Sequence, residues 1–128
     1  MSRLKLLQIA LFAFGVVFCL VYPLAIIWPS GWTWHDGPPS ASHYFMMIVG
    51  IYATLGIFLI RASRDPISHR SLIEFTIWSS VVHALIMAVQ SYSPGAHMGH
   101  MLGDVPALLF VAAVLAWLTY SHAATNDG

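Results

Sequence analysis

The sequence predicts an all-α membrane domain: four transmembrane helices in an up-down-up-down bundle, with both termini in the cytoplasm. Three observations carry this. The first is composition: the 128 residues are 59% hydrophobic and 8% charged, with a mean hydropathy of +0.76. Soluble domains carry roughly a quarter charged residues, so five cations and five anions could not cover a water-soluble surface of this size. The second is that four stretches approach the ~20 apolar residues that cross a bilayer as a helix. The third is the placement of the cations, which is one-sided. A soluble enzyme, a nucleic-acid binder and a disordered chain are excluded together, and the length bounds one domain, residues 1–128.

The first span runs from about Leu6 to Trp28. Its apolar stretch is longer than the ~7–15 residues of a signal-peptide core, and no small-x-small cleavage site closes it. Arg3 and Lys5 before it therefore introduce a retained helix, and Pro23 is expected to kink its outer third. Cys19 is the single cysteine, which excludes an internal disulfide or a CxxC pair and leaves a small packing residue. Trp28, Trp32 and Trp34 are expected at the outer interface as an aromatic belt.

The second span runs from about Tyr44 to Ile60 and the third from about Leu72 to Gln90. Between them lie Arg61, Arg64 and Arg70, while residues 29–42 and 91–104 contain no Lys or Arg. The positive-inside rule then places this middle loop and both termini in the cytoplasm, across the inner membrane. Asp65-Pro66 signals a turn, and Ser71 with Glu74 forms a capping-box pattern.

The third span carries a polar face: Thr76, Ser79, Ser80, His83, Met87 and Gln90 recur at three- and four-residue steps. His83 lies about nine residues, roughly 14 Å, beyond Glu74 and so near the bilayer centre. An ionisable group at that depth faces the bundle interior and is a functional candidate. Tyr52 and Thr54 of the second span lie at matching depth. A hydrogen bond between His83 and Tyr52 that joins two helices is the simplest reading. A haem ligand, a quinone contact or a proton relay is the functional one, and haem suffers from the lack of a second imidazole at equal depth.

The fourth span runs from about Val105 to Tyr120, with Asp104 expected as its N-cap and Pro106 tolerated in its first turn. Before it, His97-Met98-Gly99-His100-Met101 is the densest cluster of metal-binding residue types in the chain. If this segment is helical, His97, His100 and Asp104 fall within about 60° of one another on the wheel. His43 and Met47 share a face of the second span. Two imidazoles and a carboxylate suit zinc, iron or copper(II), and thioethers suit copper(I). His43, His97, His100 and Asp104 are thus the candidate metal set, set against solvated loop residues and a simple helix cap. Gly95, Gly99, Gly103 and Ala107 form a small-residue stripe for close packing in lipid.

The stretches Gly50-Ile51-Tyr52-Ala53-Thr54-Leu55-Gly56, Phe75-Thr76-Ile77-Trp78-Ser79-Ser80 through His83 to Gln90, and His100-Met101-Leu102-Gly103-Asp104-Val105-Pro106-Ala107-Leu108 resemble an uncharacterised family of small bacterial membrane proteins. The resemblance covers most of residues 44–118 and implies four helices and no assigned reaction.

The functional expectation is an accessory subunit packed in lipid against other integral membrane subunits or itself, with an outer His/Met/Asp cluster that binds copper or another transition metal. The alternative is a haem- or quinone-binding redox anchor centred on His83 and Tyr52. No nucleophile–base pair is visible, which argues against a stand-alone enzyme, and the lack of a basic patch argues against nucleic acid.

Overall fold

The computed structural model describes residues 1–33, 35–92 and 98–126, with side chains described for 1–33, 35–92 and 99–121. Every regular element among the described residues is a helix. Helix α1 is Arg3–Cys19, α2 Val21–Ile27 and α3 the short Pro29–Trp32; α4 is His43–Ala62, α5 Arg70–Ser91 and α6 Asp104–Asn126. Short 3-10 turns at Pro39–Ala41 and Met98–Met101 complete the order. The segments at 43–62, 70–91 and 99–121 are each long and apolar enough to cross a membrane, and α1 with α2 makes a fourth if the bent pair is one span.

That bend is 60°, and its cause is local. Pro23 has no amide hydrogen, and its ring crowds the carbonyl of the residue four back, here Cys19, which is the last residue of α1. The break therefore falls at Leu20, three residues upstream of the proline, and α2 leans away as a separate helix.

Packing follows small residues. Gly15 and Gly56 bring α1 and α4 into backbone contact: a Cβ on Gly15 would stand 2.7 Å from the Gly56 carbonyl, and one on Gly56 2.5 Å from that of Gly15. Cys19 does act as a small packing residue beside Gly56, and its thiol donates to the Ala53 carbonyl at 3.6 Å. Farther along, Gln8 donates to the Arg64 carbonyl, so α1 and α4 run in opposite directions. Arg3 donates to the Ser121 carbonyl and Phe14 meets Phe110 edge-on, so α1 and α6 also oppose each other. The main core joins Leu7, Leu11, Phe18, Leu59, Ile73, Ile77, Val111 and Leu115. A smaller one joins Ala84, Met87, Val105 and Leu108 between α5 and α6. Helices α4 and α5, although consecutive, barely touch.

Three local expectations change. Ser71 and Glu74 form no capping box: α5 begins at Arg70 without a side-chain cap, and Glu74 accepts from Arg70 Nε at 2.9 Å instead. An arginine four residues before a glutamate takes the carboxylate that the box would need. Residues leading into the fourth span do not continue one α-helix either. A 3-10 turn at 98–101 precedes α6, and Asp104 is the first residue of α6 rather than its cap. Of the tryptophans, Trp28 is exposed and Trp32 is partly exposed and lines a cavity; Trp34 lies outside the described residues.

Candidate functional site

The bend at Leu20 has a consequence for the interior. The leaning α2 forms one wall of a cavity of about 350 Å³ that it shares with α1, α4, α5 and α6. That is the lower end of the ~300–1,000 Å³ of small-molecule sites. Its walls are apolar for the most part, with Phe18, Ile48, Met87 and Leu108 contributing, and Tyr52, His83, Gln90, Asp104 and His35 supply polar groups.

Tyr52 and His83 bridge the gap between α4 and α5. The Tyr52 hydroxyl lies 2.7 Å from His83 Nδ1, and the Tyr52 ring is braced edge-on by Phe18 with centroids 5.0 Å apart. Both side chains line the cavity. With neutral His83, two arrangements satisfy the bond. Either the hydroxyl donates to Nδ1, leaving Nε2–H as a donor and a phenolic lone pair as an acceptor, or Nδ1–H donates to the phenol oxygen, leaving Nε2 as an acceptor and the hydroxyl as a donor. In either form the pair retains one donor and one acceptor.

The second polar group is more enclosed. His100 is fully buried; its Nδ1 lies 2.8 Å from Asp104 Oδ2 and its Nε2 lies 2.9 Å from the Thr33 carbonyl. A carbonyl only accepts, so Nε2 carries a hydrogen. The contact between Nδ1 and the carboxyl then requires a further proton, on the imidazole or on the acid. The i,i+4 spacing brings the two groups together because 98–104 is wound tightly. Bare backbone makes the fit possible: a Cβ on Gly99 would collide with the Ser30 carbonyl, and one on Gly103 with that of Gly31. The glycine stripe thus does serve close packing at these two positions, against the α3 turn. Gly95 lies outside the described residues. The result is a latch that ties the 29–33 segment to the entry of α6.

These positions bear on the expected metal set. His100 and Asp104 are adjacent but bonded to each other, and both His100 nitrogens are engaged. His43 is exposed at the start of α4, and His97 lies outside the described residues. Among the described residues, no three His, Cys, Asp or Glu side chains are grouped to hold a metal ion. Sequence reasoning missed the cavity walls, Phe18 and Trp32 above all; the signal available was Pro23, whose bend makes the space.

The comparisons with known proteins can be set beside this geometry. The chain belongs to a family of unknown function, DUF6632, whose model matches residues 1–127, as the resemblance of residues 44–118 implied. No curated protein and no solved structure matches it.

Proposed function

For a member of a family with no assigned function, we propose a four-span protein of the bacterial inner membrane that binds a small ring-bearing molecule of the quinone class between its helices. Its helices alternate in direction and both termini lie in the cytoplasm, as the one-sided placement of Arg3, Lys5, Arg61, Arg64 and Arg70 supports. The observation that carries the ligand reading is the 2.7 Å Tyr52–His83 pair set in the wall of an apolar cavity of about 350 Å³. A ring oxygen that is a carbonyl in one state and a hydroxyl in the other needs a donor first and an acceptor second. The pair offers both. A purely structural bridge needs no cavity beside it.

Haem is the poorer fit. A second axial imidazole is wanted, and the other histidine on the wall, His35, directs its Nε2 at the Pro38 carbonyl at 3.1 Å.

The test is titration of the purified protein in lipid nanodiscs with an isoprenoid quinone, followed by quenching of tryptophan fluorescence, since Trp32 stands on the cavity wall. Saturable quenching is expected, and Tyr52→Phe should weaken binding about 2–10-fold, the effect of one neutral hydrogen bond. Quenching that rises linearly without saturation, unchanged by Tyr52→Phe and His83→Phe, overturns the reading.

A further inference from the structure

Several residues on the cavity wall are also exposed on the outside of the molecule. Tyr44 is 79% exposed and Ile48 39% on α4, and Ile86 is 51% exposed on α5, yet all three line the cavity. The opposite wall is closed: Phe18, Leu108 and Val111 are buried. The space is therefore a cleft that opens sideways, through the seam where α4 and α5 barely touch. Trp32, His35 and Ser42 on the wall lie outside the candidate spans, and the segment carrying Trp32 is tied down by the His100–Thr33 bond. The exposed mouth lies between two helices apolar enough to cross a membrane.

Charge narrows the occupant further. None of the five Lys and Arg residues lines the cleft, and the carboxyl group on its wall is that of Asp104. An anionic head group entering here would be desolvated beside a carboxyl group with no lysine or arginine to meet it, which is unfavourable.

We infer that the cleft takes its ligand laterally from the bilayer, and that the ligand is a neutral-headed, long-tailed amphiphile whose ring reaches Tyr52 and His83 while its tail stays in the α4/α5 seam. The inference rests on the proposed ligand site and adds its route and class. A tail lying in the seam covers Ile48 and Ile86 and adds its own contacts to those of the ring. Bulk at the mouth obstructs the passage and slows entry.

The experiment uses the full chain in phosphatidylcholine nanodiscs and three probes: a long-chain isoprenoid quinone, its tailless ring at the same mole fraction in the bilayer, and oleate. The readouts are tryptophan quenching at equilibrium and by stopped flow. The long-chain quinone should bind at least tenfold more tightly than the tailless ring, and oleate should not displace it. Ile48→Phe with Ile86→Phe should slow association at least fivefold, while Ile57→Phe, on the exposed surface of α4 away from the cleft, should leave the association rate unchanged. Equal binding of the tailless ring, displacement by oleate, or an unchanged association rate in the double variant overturns the inference and leaves the site standing. Failure of both quinone probes to bind overturns the site itself, and the inference with it.

Discussion

His100 and Asp104 illustrate how a polar pair can be kept inside an apolar protein. The imidazole spends one nitrogen on a carboxyl group and the other on a backbone carbonyl, so His100→Ala leaves an acid buried without its partner. The expected cost is about 3–5 kcal/mol, measurable as a fall in the unfolding midpoint in detergent. Asp65 shows the opposite setting, in the exposed loop before α5. The Ser68 hydroxyl first, then the Ser68 amide, hold its carboxyl below the ordinary range. A carboxyl whose pKa is lower folded than unfolded adds stability above its unfolded value, and loses it as pH falls through its folded value. Ser68→Ala should therefore shift the Asp65 titration upward toward the ordinary range, followed by NMR of the carboxyl carbon.

At the scale of the element, the decisive device is a proline. Pro23→Ala restores an amide hydrogen toward the Cys19 carbonyl and should let α1 run on into α2. Electron spin labels on the exposed Phe12 and Ile27 would then move apart as the 60° bend opens. Quinone binding should weaken with them, because Val21 and Leu24 would swing off the cavity wall. Gly56→Ala pushes a methyl group into the Gly15 carbonyl and should destabilise by about 1–3 kcal/mol, the range for overpacking, read from thermal unfolding. Much of this level was legible from the amino acids alone. Apolar runs placed the helices to within a few residues, depth matched Tyr52 to His83, and the helical wheel put His100 and Asp104 on one face, though as metal ligands and not as partners of each other. What was hidden depended on competition or on distant partners. Glu74 had two possible neighbours, and only geometry shows that Arg70 wins. Gly99 and Gly103 were visible as small, but their partners Ser30 and Gly31 lie some seventy residues back in the chain. A cavity has no local pattern at all, since its walls come from segments spread along the chain from Val17 to Val111.

For the whole molecule, the proposed orientation rests on the distribution of cations and puts the mouth of the cleft in the leaflet away from Arg61, Arg64 and Arg70. Single cysteines at Ser40 and at Ser68, in a Cys19→Ala background, should react with a membrane-impermeant maleimide from opposite sides of the membrane, Ser68 only after the cells are opened. The loose α4/α5 seam has a separate implication, for assembly. Each half of the chain closes largely on itself, α1 against α4 and α5 against α6, and the connection at 63–69 crosses a sparse interface. Two fragments, 1–66 and 67–128, expressed as independent polypeptides should each insert as a helical hairpin and find one another in the bilayer through the α1–α6 contacts, so that the native protein can be rebuilt from a severed chain.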